Sequence, residues 1–548
     1  MRLSRLSFAA TRLAFFAVAT LIGVAAAGKP AEVFVGADAK WHRYQSPHFE
    51  LYSHNGDAES REFLHSLELL QAVFTERFHF VPKARLDVTA FYFETTDDFR
   101  AYLPASMAKS EAVGFYLAGL DRATICAAPA DDSEAARHVV FHEFIHHLFR
   151  AAGENPPPWF NEGTAELLAS LKQNGDKVEI GWPEVGRLRP VRTEKLLPLE
   201  TLFSVDQESP IYRANDHTGL FYAESWALLH YWYFGDSTKI TKDAVSRFLA
   251  VASRPEAVAQ VDLRAYFHEC FGVDYADMQR QLERYVETGR FRVGILPAPP
   301  LPDRSTYAER AVPVEEIRLR LAELALRTQR SPAGKLALLN AGQAGEARAL
   351  EVLGTDAVAD HDEAAARAHW EAAISAGSHN VAVFRELGLM ESAQWFKEFN
   401  YDFRLADDVA QRLRERLRKS IDYEPQQAAA YEMLAWVEAY SPTPVIANIA
   451  IVQRQFPHLI NKQSTVVALG MARVHLGKPD EAKAILAQLA KLPPDPWSAY
   501  AAEIIRAKLE GRSIASIHPR TGREIVEEAV ATQHSALRYP SVELPDTL

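Results

Sequence analysis

His142, Glu143 and His146 are the residues best suited to metal chemistry, and they fall within the pentapeptide HEFIH. Residues four apart on a helix project from the same face, so the two imidazoles can hold one metal ion. Glu143 is rotated by about 100° from its histidine neighbour, and from there its carboxylate can reach a water molecule that the metal activates. The spacing therefore predicts a helical metal site with a general base beside it.

A catalytic zinc site needs a third protein ligand and an open fourth position. Glu162 is the best candidate, because it follows His146 by sixteen residues and lies on the next predicted helix, behind a turn stiffened by three prolines. Glu166 lies four residues further along and faces the same way. Its carboxylate can accept the free ring N–H of His142 and fix the tautomer of that ligand. Two histidines and one carboxylate suit a hydrolytic zinc, so we expect one Zn2+ per chain.

The surroundings of HEFIH decide between a metal site and a chance match. The pattern is short and often marks only a helix with polar residues on its surface. Here apolar residues surround the histidines: Val139, Val140, Phe144, Ile145 and Leu148. Burying two histidines and a glutamate among them would be costly without a metal or partners. His147 is not expected to be a ligand, because His146 already takes the required face.

The motifs HEFIH and WFNEGTAE together resemble the gluzincin metallopeptidases, the superfamily that includes thermolysin and aminopeptidase N. Its members share the HExxH helix, a glutamate ligand in an Asn-Glu sequence and often an acidic residue four places later. The resemblance implies that His142, His146 and Glu162 bind zinc. It also implies that Glu143 is general base and acid, and that Glu166 supports a ligand from behind.

A tyrosine at the start of a later apolar helix extends this resemblance. The segment FYAESWALLHY is similar to the aminopeptidase-type segment whose tyrosine stabilises the oxyanion, and that tyrosine corresponds to Tyr222. A phenol can donate a hydrogen bond to developing negative charge. Tyr222 can equally be one more aromatic residue of the core. Three neighbours remain alternatives for the role: Tyr212, His230 and Tyr231.

One motif of the aminopeptidase family is missing. That family carries a Gly-x-Met-Glu-Asn sequence ahead of the metal helix, which binds the free amine of the substrate. No such sequence occurs between Leu86 and Arg137, where the chain reads GFYLAGLDRATICA. The resemblance, which covers about Trp41 to Glu287, therefore implies a peptidase-MA-like metallopeptidase without implying an aminopeptidase.

The elements that must position these residues indicate an α+β zincin-like catalytic core. Strands are predicted at Phe49–Ser53 and Leu86–Phe93, and a hairpin at Gly114–Ala118 and Arg122–Ala127. Helical spacing covers 58–78, 97–103, 133–152, the segment after Trp159, 219–234 and much of 240–288. The strand Arg122–Ala127 precedes the metal helix, so it is our candidate for pairing with an extended peptide.

Four segments are expected along the chain: a signal peptide (1–27), the metallopeptidase domain (28–295), a proline-rich linker (296–312) and an all-α helical-repeat domain (313–548). The linker contains LPAPPLP, which is stiff. In the tail, Ile374–Leu387 and Ile421–Leu434 resemble each other, and Leu469–Leu486 has the pattern of a helical hairpin. Together these segments resemble degenerate tetratricopeptide repeats. A plain helical bundle is the alternative.

Composition and the first residues of the chain limit the possible functions and the cellular location. The 548 residues carry a net charge of -12 with no basic stripe, which argues against nucleic acid as a partner. Arginines followed by the apolar run Leu13–Val24 predict a signal peptide cleaved near Ala27. That run is shorter than the roughly 20 residues that span a bilayer, so we expect an exported chain, periplasmic or secreted, without a membrane span. Cys126 and Cys270 can pair or remain two buried thiols.

The expected function is zinc-dependent hydrolysis of peptide bonds in a peptide or protein substrate, with a further protein partner held by the repeats. Two alternatives remain open. One is an exported protein-binding scaffold whose zincin domain is weakly active or inactive. The other is a zinc hydrolase that cleaves a non-peptide amide or ester with the same residues.

Overall fold

The computed structural model describes most of the chain between Phe34 and Ile517. The described ranges are 34–78, 87–108, 112–128, 133–152, 156–206, 209–213, 219–235, 240–252, 261–395, 399–423, 427–459, 461–492 and 495–514, with the single positions 258, 425 and 517. The predicted signal peptide lies outside these residues, as does the end of the predicted repeat domain. The described chain is a mixed α/β structure with a small sheet, and it is mostly helical.

Short strands build two sheets. In chain order the strands are β1 (His42–Gln45), β2 (Phe49–Ser53), β3 (Asp87–Tyr92), β4 (Gly114–Leu117), β5 (Arg122–Ala127), β6 (Lys172–Asn174), β7 (Lys177–Ile180), β8 (Gly294–Pro297) and β9 (Ala308–Ala311). The main sheet has the order β4-β5-β3-β2-β1-β9, and β2, β3 and β5 run parallel. The second sheet, β6-β7-β8, is antiparallel.

The first half of the chain also contains the helices that surround the metal motif. They are α1 (Asp57–Phe78), α2 (Thr96–Arg100), α3 (Ser133–Ala151), α4 (Pro158–Ala169), α5 (Val185–Thr193), α6 (Leu199–Ser204), α7 (Pro210–Arg213), α8 (Leu220–Phe234), α9 (Lys242–Ala252), α10 (Leu263–Phe271) and α11 (Tyr275–Thr288). The predicted strands, the hairpin and the helices around the metal motif are confirmed, with ends shifted by a few residues. Among the described residues, no helix combines the length and apolarity that a membrane crossing requires.

The main sheet is covered on both faces because its strands alternate between two cores. Leu51 and Ile125 pack against α1 and α3 on one face. Tyr52 and Cys126 face the other way, into an aromatic core that includes Trp41. The metal helix α3 therefore rests on a fully buried sheet face.

The hypothesis that strand β5 pairs with an extended peptide is wrong. Both of its edges are occupied, by β3 on one side and by β4 on the other. The hairpin that the sequence predicts places β4 outside β5, so β4 is the edge of the sheet. A peptide that adds to this end of the sheet has to pair with Gly114–Leu117 instead.

The segment predicted as a linker, 296–312, is built into both sheets. Strand β8 pairs with β7, and β9 pairs with β1 in antiparallel register, His42 opposite Ala311. Prolines are tolerated in edge strands and at strand ends, where a missing N–H breaks no ladder, so a proline-rich composition did not exclude these pairings. The chain after residue 312 begins packed under the sheet.

The rest of the described chain is helical. The helices are α12 (Val314–Gln329), α13 (Pro332–Gln343), α14 (Ala347–Ala359), α15 (Glu363–Ser375), α16 (Val381–Trp395), α17 (Asp407–Tyr423), α18 (Ala428–Tyr440), α19 (Ile446–Gln455), α20 (Lys462–His475), α21 (Pro479–Leu486) and α22 (Pro496–Leu509). Each of the three predicted repeat segments joins parts of two successive helices, at α15–α16, α17–α18 and α20–α21. Their assignment to tetratricopeptide-like repeats stays a prediction.

The two cysteines lie in different elements of the fold. Cys126 is on β5 and Cys270 is on α10, and both are buried free thiols. Of the two arrangements that the sequence left open, the structure has the unpaired one.

A buried cluster of charges joins the sheet to the tail helices. Arg122 on β5 is 3% exposed, and its Nε lies 2.8 Å from Oδ2 of Asp121 and 3.6 Å from Oε1 of Glu323 on α12. Its guanidinium also pairs with Glu351 on α14. Burial would raise the pKa of Asp121, but the surrounding arginines hold it below its usual value. Each buried charge here depends on its partners, because water cannot replace them.

We predict that Arg122→Met lowers the free energy of unfolding by about 3–5 kcal/mol, because it leaves three buried carboxylates without their shared partner. Urea unfolding monitored by circular dichroism measures the change. Arg310→Met is the matched control: Arg310 pairs with Glu316 at a largely exposed position, where an ion pair contributes about 1 kcal/mol or less. An equal loss in both variants would contradict the assignment.

Candidate metal centre

Helix α3 carries the HExxH motif and is buried on most of its surface. Phe141, Phe144 and Ile145 are fully buried against the sheet and its neighbours. His142 is 9% exposed, so its ring lies inside the protein and not on a solvated face. The polar residues of the motif are therefore held in a largely apolar setting, as the sequence predicts.

Helix α4 follows the proline-rich turn and brings two carboxylates to α3. Its first residue is Pro158, at a position where the missing N–H costs no helical hydrogen bond. Glu162 and Glu166 are only 2% and 1% exposed. Gly163 lets α4 approach α8 closely, since a Cβ at this position would lie 2.7 Å from the carbonyl oxygen of Ser225. A larger residue there would push the glutamates away from the histidines.

Three ligand atoms converge between the two helices. Nε2 of His142 lies 3.1 Å from Nε2 of His146, and Oε2 of Glu162 lies 3.1 Å and 3.4 Å from these two nitrogens. Donors bound at about 2.0–2.1 Å to a tetrahedral ion stand roughly 3.3 Å from one another. The triangle therefore has the size that a single zinc ion requires.

The chemistry of the three atoms agrees with their spacing. Oε2 of Glu162 is buried and accepts no hydrogen bond from any described residue. A buried carboxylate oxygen without a donor is costly unless a cation is present. Two imidazoles and one carboxylate are a common ligand set of catalytic zinc. The residues present fit the ion that the sequence predicts.

Each histidine has a polar neighbour beside the nitrogen that faces away from the site. Nδ1–H of His146 donates to Oδ1 of Asn161 at 2.9 Å. Nδ1 of His142 lies 3.0 Å from Oε1 of Glu166. Such partners fix the tautomer, so that Nε2 is the free ligand atom. The predicted supporting role of Glu166 toward His142 matches this placement, whereas the contact of Asn161 was not anticipated.

The carboxylates set the charge state of the site when no metal is bound. Burial alone would lower the pKa of His142, but Glu166 and Glu162 outweigh it and raise that pKa well above its usual value. Burial would raise the pKa of Glu162, but the two histidines beside it hold that pKa well below its usual range. Metal binding needs neutral imidazole, so it must release protons from this cluster.

Glu166 is itself held in place by two further side chains. Nη2 of Arg187 on α5 donates to its Oε1 at 2.5 Å, and Nε2 of His138 donates to its Oε2 at 3.1 Å. Burial would raise the pKa of Glu166, yet His142, His138 and Arg187 keep it well below its usual value. The carboxylate that orients His142 is therefore fixed and ionised.

A second group of potential ligands lies beside the first within the described part of the chain. It consists of His138, Glu166 and Glu184, and Oε2 of Glu184 lies 3.6 Å from Nε2 of His138. The guanidinium of Arg187 already neutralises Glu166 there. A positive neighbour disfavours a metal cation, so we assign the ion to the first group only.

Two tyrosines border the triangle of ligand atoms, and Glu143 lies close enough to interact electrostatically with both. Glu143 is half-buried, and its charge helps to raise the pKa of Tyr212 and Tyr222. The centroid of the Tyr222 ring lies 6.3 Å from that of the His142 ring. The guanidinium of Arg187 lies over the Tyr222 ring, 5.8 Å from its centroid. The hydroxyl of Tyr212 donates to Oε1 of Glu162 at 2.8 Å. Burial is the main cause of the raised tyrosine pKa values, so both phenols stay protonated at neutral pH.

The other polar aromatics considered for the site are used elsewhere. The ring nitrogens of His230 face the carbonyl oxygen of Gly181 and the hydroxyl of Tyr285, at 2.7 and 2.8 Å. Tyr231 donates to Gln281 at 3.0 Å. These contacts hold α8 against its neighbours, which leaves Tyr212 and Tyr222 beside the metal ligands.

His147 points away from the ligand atoms, as predicted. Its Nδ1 lies 2.7 Å from the hydroxyl of Tyr116 on β4, and its ring stacks on Phe144. Burial and the nearby Arg150 lower its pKa to about 4. It therefore links the metal helix to the edge strand as a neutral side chain.

Neither a family model nor a curated protein matches this chain. Its function is therefore inferred from the geometry of the described residues and from the motifs in the sequence.

We predict that Glu166→Gln lowers the affinity for zinc by about 10–100-fold, because the charge that orients His142 and fixes its tautomer is lost. Competition with a chromogenic chelator measures the dissociation constant. Glu184→Gln is the matched control: its carboxylate lies 3.6 Å from His138 and is not among the three ligands. Equal affinities in wild type and Glu166→Gln would contradict the supporting role.

We predict that His147 makes the metal-free protein less stable in acid. Its folded pKa of about 4 lies below the usual 6.5, so the unfolded chain binds a proton first and stability falls as pH drops from 6.5 to 4. The loss amounts to roughly 3 kcal/mol. His147→Phe removes this titration and keeps the stacking on Phe144. Urea unfolding at pH 7 and pH 4 should show a smaller difference in the variant, and an unchanged difference would contradict the account.

Proposed function

We propose that the protein is a zinc-dependent peptidase that hydrolyses peptide bonds with Glu143 as general base. The observation that carries the proposal is the triangle formed by Nε2 of His142, Nε2 of His146 and Oε2 of Glu162, with sides of 3.1, 3.1 and 3.4 Å. It lies in a buried site, and its carboxylate oxygen has no hydrogen-bond partner among the described residues. Glu143, next to His142 in sequence, supplies the base.

His142, His146 and Glu162 would hold the ion and leave a further position open for water and substrate. Bound zinc polarises a carbonyl group and lowers the pKa of water to about 7. Glu143 takes a proton from the attacking water as its oxygen bonds to the carbonyl carbon. The same carboxyl group then delivers that proton to the leaving amine as the C–N bond breaks.

Tyr222 is the proposed donor to the oxyanion. Its ring lies beside that of His142, and its raised pKa keeps the hydroxyl protonated at neutral pH. A preorganised donor is effective where negative charge develops in a buried site. Tyr212 is a weaker candidate for this role because its hydroxyl already donates to Glu162.

An extended substrate is proposed to pair with the outer edge of β4, which pairs with no other strand among the described residues. This strand ends the main sheet, and Tyr116 within it contacts His147 of the metal helix. Main-chain hydrogen bonds to an edge strand bind peptides with little dependence on sequence. Export to the periplasm or the outside, expected from residues 1–27, and a protein partner for the tail helices belong to the same proposal.

The test of the proposal is Glu143→Gln. We predict that the variant keeps near-stoichiometric zinc, because no metal ligand changes. Its rate of peptide hydrolysis should fall by about 10²–10⁴-fold, because the group that carries the proton is gone. Elemental analysis and a fluorogenic peptide library measure the two quantities on the same preparations.

The outcomes separate the alternatives. Undiminished turnover in Glu143→Gln would contradict the mechanism for amides and esters alike. A wild-type protein with zinc that cleaves esters or non-peptide amides but no peptide would favour the other hydrolase. Zinc without any turnover would favour a protein-binding scaffold with an inactive zincin-like core.

A further inference from the structure

The two oxygens of Glu162 have different surroundings. Oε2 faces the two ligand imidazoles at 3.1 and 3.4 Å. Oε1 accepts a hydrogen bond of 2.8 Å from the hydroxyl of Tyr212. Because the carboxylate is 2% exposed, water does not compete freely for either oxygen. One oxygen is therefore turned toward the metal triangle, and the other is occupied by a phenol.

Tyr212 is held by aromatic contacts at the start of α8. Its ring lies parallel to that of Tyr222, with centroids 6.4 Å apart and an angle of 11° between the planes. It meets Phe221 edge-on at 6.0 Å. Its backbone N–H donates to the carbonyl oxygen of Ser209 at 3.0 Å, within the turn that begins α7. The hydroxyl thus reaches Glu162 from a ring that its neighbours orient.

We propose that Tyr212 is a positioning residue that restricts Glu162 to ligation through Oε2 alone. A carboxylate with both oxygens free can turn and bind a metal through both of them. The phenol occupies Oε1, so this second mode costs a hydrogen bond in a buried site. The restriction keeps the fourth position free for water, which a hydrolytic centre requires. The inference rests on the proposed metal site and deepens it.

This role differs from that of Tyr222. Tyr222 lies beside the ligand His142, where it can meet the substrate, whereas Tyr212 acts through a ligand. Loss of the Tyr222 hydroxyl should therefore lower turnover at constant metal affinity. Loss of the Tyr212 hydroxyl should change the metal site itself, in the absence of any substrate.

The experiment replaces zinc by Co2+ in the full-length protein and in Tyr212→Phe. The visible bands of Co2+ are intense in four-coordinate sites and weaken as the coordination number rises. We predict intense bands in the wild type and weaker, shifted bands in Tyr212→Phe, together with an affinity for Zn2+ that falls by about 10–100-fold. Competition with a chelator measures the affinity.

Two controls accompany the variant. Tyr231→Phe also removes a buried hydroxyl from a hydrogen bond, to Gln281, but lies outside the site, so it should leave the Co2+ spectrum and the affinity unchanged. Tyr222→Phe should likewise keep the wild-type spectrum. A Tyr212→Phe protein with the wild-type spectrum and affinity would overturn the inference while the metal site stands. A wild type that binds neither Co2+ nor Zn2+ would instead overturn the proposed function.

Discussion

The burial of several charged side chains between α3 and α4 is the constraint on which the site depends. Glu162, Glu166 and His142 are at most 9% exposed, and each would be costly in an apolar interior if it stood alone. Each charged group lies beside a group of opposite charge: Arg187 beside Glu166, Glu166 beside His142, and His142 beside Glu162. Oε2 of Glu162 faces both histidines, and it is one of the buried atoms of this cluster that have no hydrogen-bond partner among the described residues.

The rest of the fold keeps these helices in register. The sheet supports α3 from one side, and Gly163 brings α4 against α8, which carries Tyr222. On the opposite face of the sheet, Arg122 ties β5 to the first tail helices through buried ion pairs. The first tail helices therefore support the main sheet, and the sheet in turn supports the metal helix α3 on its other face.

The parts of this arrangement that local sequence patterns determine could be predicted. Helical spacing was sufficient to place His142 and His146 together, and the motif around Glu162 gave the next helix. Contacts between distant segments could not be predicted. Arg187 lies on α5, for which no helix was predicted, and nothing in the local sequence shows that it contacts Glu166. The edge strand β9 was missed because its proline-rich surroundings are typical of linkers. The contact of Asn161 could have been predicted, because this residue directly precedes the predicted ligand Glu162 on the same helix.

We propose that one zinc ion binds among His142, His146 and Glu162. An anomalous difference map, recorded at the zinc absorption edge from crystals grown with zinc, can locate the ion. We expect one strong peak about 2 Å from Nε2 of both histidines and from Oε2 of Glu162. A peak between His138 and Glu184 instead, or no peak at the HExxH helix, would contradict it.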